Sequence, residues 1–158
     1  MRLSRIPHDA GEKRGHGSPS EPVTTLRCSA QLRRRLGPVG GAEVPPSGQL
    51  GDWYARIVAT RPRHLVLCTN ECSLLCVVIP LAPQRQLLDR FVEAAQHRIN
   101  QIPAPADARM KERAALADVQ VGRATNRSVI GGMNEFTYAI DAWFAHRSGD
   151  DEVADVRL

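Results

Sequence analysis

The sequence lacks any long hydrophobic run, and this absence excludes several classes of protein. Its best apolar stretch, residues 74–82, has nine residues including Pro80, whereas a membrane-spanning helix needs about 18 or more. No apolar segment follows Arg2 and Arg5, because residues 7–13 (PHDAGEK) are mostly polar or charged, so the pattern of a secretory signal is missing. We therefore expect a protein that stays in the cytoplasm.

Basic residues are not scarce, but they are unevenly placed. The formal net charge is +4. Residues 1–37 carry eight basic and three acidic side chains, and residues 38–158 carry 13 and 14. A surface that follows a phosphate backbone normally needs a basic face on the folded domain itself. Nucleic-acid binding through the leader and Arg33, Arg34 and Arg35 is therefore the function that we rank last.

Complete motifs for metal, cofactor or nucleophile chemistry are missing as well. The sequence has no phosphate-binding loop of the Walker type, no dinucleotide fingerprint and no nucleophile elbow. Cys68, Cys72 and Cys76 are evenly spaced, but the second pair that a structural zinc site usually requires is absent. In a reducing compartment we expect these cysteines to be free thiols. The sequence predicts no metal site and no cofactor.

The length and the residue composition of the chain indicate one domain. A chain of 158 residues is long enough for one hydrophobic core and short for two. Residues 1–22 are rich in Gly, Ser, Pro and charge, which favours a disordered basic leader. We expect the domain to cover residues 23–147, with a mobile loop at residues 37–48 and a loose acidic tail at residues 148–158.

Periodicity predicts the elements of this domain. A short strand is expected at residues 23–28, and further strands are expected at residues 52–60, 64–69, 74–80 and 119–124. The second and third should form a hairpin around a turn at residues 61–63. The continuous apolar run at residues 74–80 indicates a strand buried on both faces.

Four helices are expected between and after these strands. One follows a Ser29 cap at residues 30–36, a strongly amphipathic one runs from Pro83 to just before Pro103, and a weaker one covers residues 104–117. The last begins near Ser128 and carries an apolar stripe. We predict an α+β fold, a mostly antiparallel sheet of about four strands with the helices from Pro83 and Ser128 covering one face.

Three separate segments of the sequence stand out for their polar or aromatic residues. They are residues 50–55 (LGDWYA), 69–71 (TNE) and 125–134 (TNRSVIGGMN). Together with a first strand like that at residues 26–28, they resemble the motifs of a small bacterial domain family of unknown function, over about residues 24–145. The resemblance implies a shared fold and no particular activity.

The third motif lies where a strand gives way to a helix, which suggests an anion site. The unpaired N–H groups of a helix start can receive an anion, with Arg127 beside it. The competing interpretation, which we favour, is that Asn126 or Ser128 caps the helix and Arg127 pairs with an acid such as Asp52. We expect the adjacent Gly131 and Gly132 to pack closely against Trp53, and close approach of a ligand is the second interpretation.

The first two motifs also have two interpretations. Asp52 beside Trp53 is a candidate general base under an aromatic lid, but a turn aspartate before core aromatics is the commoner arrangement. Asn70 likewise fits a turn. Our first hypothesis is a binding or regulatory module for a protein or a small anionic ligand, using the groove near Trp53, Arg127 and Asn134.

The second hypothesis is a small hydrolase or transferase. In it, Asp52 would act as base while Arg127 and the helix start hold a developing anion. For either hypothesis the candidate residues are Asp52, Trp53, Asn70, Arg127, Ser128 and Asn134.

Overall fold

The computed structural model describes residues 23–37, 48–60 and 63–150. The predicted leader at 1–22, the loop at 38–47, the turn at 61–62 and the tail from 151 lie outside the described residues. The strands are β1 (Thr24–Cys28), β2 (Trp53–Val58), β3 (Leu65–Asn70), β4 (Cys76–Pro80) and β5 (Val119–Arg123). The helices are α1 (Ala30–Leu36), α2 (Leu87–Asn100), α3 (Ala106–Ala115) and α4 (Arg127–Asp150), with one 3-10 turn (Gln84–Gln86) before α2.

The α+β class is confirmed, and the sheet has five strands rather than about four. Its order is β4-β3-β2-β1-β5. The hairpin β2–β3 and the pair β3–β4 are antiparallel over six and five residues, and β1 pairs in parallel with β2 over three residues and with β5 over five. The sheet is therefore mixed: two strand pairs are parallel and two are antiparallel, and the antiparallel ones include more of the paired residues.

The prediction that α2 and α4 cover one face is wrong, because they lie on opposite faces. Side chains alternate along a strand, and in β2 both faces carry buried apolar side chains. Trp53 and Ala55 join the core under α2, whereas Tyr54 and Val58 join a second core with Val129 of α4. The sheet is thus covered from both sides.

The predicted strand at residues 74–80 exists and ends at Pro80, but its predicted start and its burial on both faces are wrong. Leu74 adopts a left-handed backbone conformation with φ at 56°, so the chain is still turning there and the strand starts at Cys76. β4 lies at one edge of the sheet. Its side chains alternate between buried and exposed, and Val78 is 44% exposed. A run of apolar residues therefore marks an edge strand here, not a central one.

The larger core lies between the sheet and α2. Its apolar side chains recur at helical spacing along α2, with Phe91 and Ala95 fully buried. The Phe91 ring meets the Trp53 ring edge-on, with 5.4 Å between ring centroids. At about 25 cal/mol for each Å² of buried apolar area, such aromatic anchors dominate the hydrophobic stabilisation. Trp53 is consequently fixed in the core.

α1 agrees with its prediction in both bounds and cap. The Ser29 side chain accepts a hydrogen bond from the Leu32 N–H, and Gly37 ends the helix with φ at 85°, a conformation that glycine adopts without steric cost. α1 connects the parallel strands β1 and β2, and Leu32 buries its side chain in the larger core.

Candidate functional site

The first two motifs meet at Asn70, at the end of β3. Its side-chain amide donates to the carbonyl groups of Leu50 (2.9 Å) and Asp52 (3.4 Å). Its side-chain oxygen accepts from the N–H groups of Cys72 (3.2 Å) and Ser73 (2.9 Å) and from the Ser73 hydroxyl (2.8 Å). Asn70 is fully buried, and these five contacts tie the start of β2 to the turn after β3. The amide is fully used inside the protein.

Asp52 lies one residue before β2 and is fully engaged too. Its Oδ1 accepts from the Thr25 N–H at 3.1 Å, and its Oδ2 accepts from Arg27 Nε at 2.6 Å. Only 1% of Asp52 is exposed. The predicted carboxylate–arginine pair therefore exists, but its cation is Arg27 of β1 rather than Arg127.

The third motif joins the same place through Glu71. The Asn126 side-chain oxygen accepts from the N–H groups of Ser128 (3.0 Å) and Val129 (3.4 Å), which makes Asn126 the cap of α4. The Asn126 amide donates to Glu71 Oε1 at 3.0 Å. Leu50, Asp52, Asn70, Glu71 and Asn126 are called the motif corner below. All three motifs therefore meet at the motif corner, where their polar groups form hydrogen bonds with one another.

Tyr54 links the motif corner to the face of the sheet that α4 covers. Burial raises the pKa of the Tyr54 hydroxyl, and the Glu71 carboxylate adds to that rise, while hydrogen bonds with the Thr125 side chain and the Asn126 backbone act against it. The hydroxyl therefore keeps its proton at neutral pH. Tyr54 also forms part of the wall of a neighbouring cleft.

This cleft, called the α4 cleft below, has a volume of about 380 Å³. It lies between α4, the first residues of α1 and the part of β2 that extends beyond β1. β1 pairs with β2 as far as Cys28 and Ala55. The chain then turns away, held by a 2.9 Å bond from the Ser29 N–H to the Ala55 carbonyl. The lining residues are Arg27, Ser29, Ala30, Gln31, Tyr54, Ala55, Arg56, Ile57, Ala124, Ile130, Met133 and Asn134.

Arg56 is the charged residue of the cleft that lacks a compensating acid among the described residues. It is half-buried, and its guanidinium donates a hydrogen bond to Asn134 Oδ1. The nearby pair of Arg27 and Asp52 is a salt bridge at 2.6 Å. A guanidinium that is bonded only to a neutral amide keeps its full positive charge available to a ligand.

The sequence-predicted residues are therefore divided between several places. Asp52 and Asn70 lie in the motif corner, and Trp53 is in the core on the opposite face from α4. Arg127 and Ser128 are exposed in the first turn of α4. Asn134 is the predicted residue that lines the α4 cleft. The structure does not gather the six around one pocket.

The predicted packing of the glycine pair against Trp53 is wrong. A side chain added at either Gly131 or Gly132 would meet nothing within 4 Å, leaving aside the backbone of the helix itself. Trp53 belongs to the core on the other face of the sheet. The pair therefore has no packing role that the described contacts explain.

Sequence reasoning missed Arg27 and Arg56. A usable signal existed for Arg56, because Tyr54, Arg56 and Val58 alternate on one face of the predicted strand. No comparable signal existed for Arg27, since its partner Asp52 is 25 residues away and the pairing depends on the parallel register of β1 with β2.

Cys28 and Cys68 behave as small buried side chains, whereas Cys72 is exposed and Cys76 is partly buried. Cys28 and Cys68 are fully buried, and burial raises the pKa of the Cys28 thiol to about 12 and that of Cys68 well above its usual value. Such thiols stay protonated and unreactive at neutral pH. Within residues 23–37, 48–60 and 63–150 there is no group of three or more side chains that could hold a metal ion.

Fold and cleft together define a small α+β domain with a cationic cleft beside its last helix. The sequence matches the family model described as a domain of unknown function (DUF6933) over residues 25–157. The chain belongs to this family, which confirms the prediction that it is a member of a family of unknown function. Comparison with curated proteins and with solved structures found no match. Of the helices described, none is both long enough and apolar enough to cross a membrane.

Proposed function

We propose that the domain is a binding module for a small anionic ligand, which the α4 cleft receives at Arg56. The observation that carries the proposal is the state of this guanidinium. It lies half-buried in a concave site and donates to the Asn134 amide oxygen, without an acid partner among the described residues. A ligand carboxylate or phosphate oxygen would supply the missing countercharge through two parallel hydrogen bonds.

Binding is favoured over catalysis by the hydrogen bonds of the motif corner. Both carboxylate oxygens of Asp52 already accept bonds, one from the Thr25 N–H and one from Arg27. A general base needs an oxygen within reach of the proton that it removes, and a carboxylate with 1% exposure offers none to a substrate. The hydrolase or transferase that uses Asp52 and Arg127 remains our second proposal.

Arg127 retains a secondary place in this proposal. It is exposed and lies one turn before Ile130 on α4, and Ile130 and Asn134 both line the cleft. Residues three or four apart share a helix face. Arg127 would therefore strengthen the attraction of an anion at the cleft entrance rather than hold it directly. Nucleic-acid binding through Arg33, Arg34 and Arg35 stays a third proposal.

The test is a titration of the full chain with a panel of simple anions. Isothermal calorimetry or ligand-observed NMR measures the binding. The panel contains acetate, butyrate, hexanoate, inorganic phosphate and pyrophosphate. Arg56→Gln should weaken the binding of the best anion by at least tenfold, since a charge-assisted pair contributes about 1.5–3 kcal/mol. Arg56→Lys should restore part of it, because the charge remains but the fork is lost.

Two further variants make the result specific to the cleft. Arg113→Gln removes a positive charge from the exposed last turn of α3, outside the cleft, and should leave binding unchanged. Ala30→Asp adds a negative charge at the cleft wall, at the first position of α1, where the helix dipole tolerates an acid. It should abolish binding without unfolding the protein. Equal losses in Arg56→Gln and Arg113→Gln would refute a specific site.

A further inference from the structure

The charges around the α4 cleft limit the charge of its ligand. Arg27 lines the cleft, but its charge is balanced by Asp52 at 2.6 Å. Arg56 remains, and its partner Asn134 is neutral. Each additional ligand charge would enter the cleft without a countercharge, and an unpaired buried charge costs several kcal/mol. One net positive charge therefore favours a ligand group with one negative charge over a polyphosphate.

The rest of the cleft wall is mainly apolar. Apolar side chains from α1, the segment after β5 and α4 surround the single free charge. They are Ala30, Ala124, Ile130 and Met133, while Ala55 and Ile57 border the cleft with side chains that pack in the core under α2. Such a surface gains nothing from a second polar group and gains affinity from each apolar group that it covers. The ligand should therefore have an apolar body.

Two hydroxyl groups of the wall are already bonded. The Ser29 hydroxyl accepts the Leu32 N–H as the cap of α1, and the Tyr54 hydroxyl bonds Thr125 and the Asn126 backbone. A sugar or another ligand rich in hydroxyl groups would find the side-chain amides of Gln31 and Asn134 as partners, but neither of these hydroxyls. Each polar group of the ligand that is buried without a partner would weaken its binding. Carbohydrates and nucleosides are therefore poor matches for this wall.

The volume limits the size of that body. A water molecule takes about 30 Å³ of liquid volume, so a cleft of about 380 Å³ holds on the order of a dozen water-sized groups. A carboxylate with roughly six to eight carbon atoms fits within that space. Longer chains would have to extend into solvent.

We infer that the ligand is a small amphipathic carboxylate, with its carboxylate on Arg56 and its apolar body against Ile130 and Met133. This inference rests on the proposed function and specifies the ligand class of the same site. A planar carboxylate matches the fork of a guanidinium, which gives the head group its orientation. The apolar wall then selects the body.

A chain-length series tests the inference with the full protein. Dissociation constants are measured for acetate, butyrate, hexanoate and octanoate, with 1-hexanol as the uncharged comparison and pyrophosphate as the polyanion. Each methylene that becomes fully buried contributes about 0.8 kcal/mol, which is about a fourfold gain in affinity. Hexanoate should bind at least fourfold more tightly than butyrate, and at least tenfold more tightly than either 1-hexanol or pyrophosphate.

A variant of the apolar wall separates the body from the head group. Ile130→Thr keeps a β-branched side chain at a half-buried position but makes the wall polar. It should reduce the preference for hexanoate over butyrate to less than twofold while the affinity for butyrate changes little. Circular dichroism of the variant checks that α4 is intact. Val92→Thr, at a half-buried position on α2 outside the cleft, is the matched control and should preserve the chain-length preference.

The outcomes distinguish this inference from the proposed function. If anions bind in an Arg56-dependent way but without a chain-length preference, or if pyrophosphate binds best, the amphipathic ligand is refuted and the anion-binding module stands. If no anion on the panel depends on Arg56, both fail. Equal binding of hexanoate and 1-hexanol would also overturn both, because Arg56 would then contribute nothing.

Discussion

The motif corner and the α4 cleft lie beside each other and share Tyr54, yet their polar groups are used in opposite ways. In the motif corner, Asn70 makes five hydrogen bonds and Asp52 accepts from Thr25 and Arg27. In the cleft, Arg56 donates to one neutral amide. Buried polar groups with complete partners stabilise a fold, whereas an available charge in a concave site is suited to binding.

This difference in hydrogen bonding shows that a polar motif need not mark a binding site. Among the described residues, no buried side-chain nitrogen or oxygen lacks a hydrogen-bond partner. The three motifs supply several of these partners, since they connect the start of β2, the end of β3 and the start of α4. Their arrangement can be explained by folding alone. The following predictions would break or sharpen the comparison.

The largest effect is expected for Asn70→Ala. The change removes all five hydrogen bonds of this buried side chain, which connect the start of β2 to the exposed turn at residues 72–73. Because each hydrogen bond contributes about 0.5–1.5 kcal/mol, the free energy of unfolding should fall by about 4 kcal/mol. Urea denaturation measures it, with the exposed Asn100→Ala as control at less than about 0.5 kcal/mol. A fall of under about 1 kcal/mol would mean that the corner is not a structural element.

Asp52→Asn should have the next largest effect. The variant keeps the shape of the side chain but removes the charge that balances Arg27, whose side chain is 15% exposed. Hydrogen bonds to charged groups contribute about 1.5–3 kcal/mol, so a loss of about 2–3 kcal/mol is expected by urea denaturation. Asp118→Asn, at an exposed acid before β5, is the control. If Asp52→Asn instead changed ligand binding and left stability intact, Asp52 would belong to a functional site.

Asn126→Ala should lower the free energy of unfolding by about 1 kcal/mol, since it removes the cap of α4. Asn126→Asp keeps the capping oxygen but replaces the amide that donates to Glu71 with a second carboxylate oxygen. Combining Asn126→Asp with Glu71→Gln should recover the stability that repulsion removes. Thermal unfolding of the set compares these changes. Equal stability of the single and double variants would show that the Glu71 contact contributes nothing.

Gly132→Ala is expected to raise the free energy of unfolding by about 1 kcal/mol. The position is inside α4 and has open space around the added methyl group, so alanine should gain its helix propensity without a clash. Thermal unfolding measures the increase. A decrease would show that this part of the third motif has a packing role that the described contacts do not contain.

Arg56→Gln should have the smallest effect on stability, below about 0.5 kcal/mol, because its described contact is one bond to exposed Asn134. Its effect on anion binding should be large. The contrast is with Asp52→Asn, which should lower stability without weakening anion binding, because it leaves the Arg27 charge at the cleft wall unbalanced. Urea denaturation and calorimetry on both variants measure it. If Arg56→Gln lowered stability and Asp52→Asn weakened anion binding, the α4 cleft would be the structural region and the motif corner the binding site.

Much of the local structure was accessible from the sequence. α1 with its Ser29 cap, the long helix after Pro83, the β2–β3 hairpin and the start of α4 follow from periodicity and capping residues, which act over a few neighbours. β4 was misjudged because an apolar run looks the same in a central strand and in an edge strand. The position of a strand in the sheet depends on pairings that no local pattern records.

The candidate site was less accessible. Asn70 and Asn126 were recognised as turn and cap residues by their type and spacing. Arg56 was missed, because its availability depends on which acids lie near it in space. The same applies to the Arg27–Asp52 pair, whose members meet across parallel strands.

By itself, the sequence determined the α+β class, the family and most of the elements, because hydrophobic period, caps and turn residues act locally. Only the tertiary structure decided that α2 and α4 cover opposite faces of the sheet, that Asp52 is paired with Arg27 and that Arg56 remains available in a cleft. The reason is physical: charge pairing and burial depend on distances between residues far apart in the chain, and folding alone sets those distances.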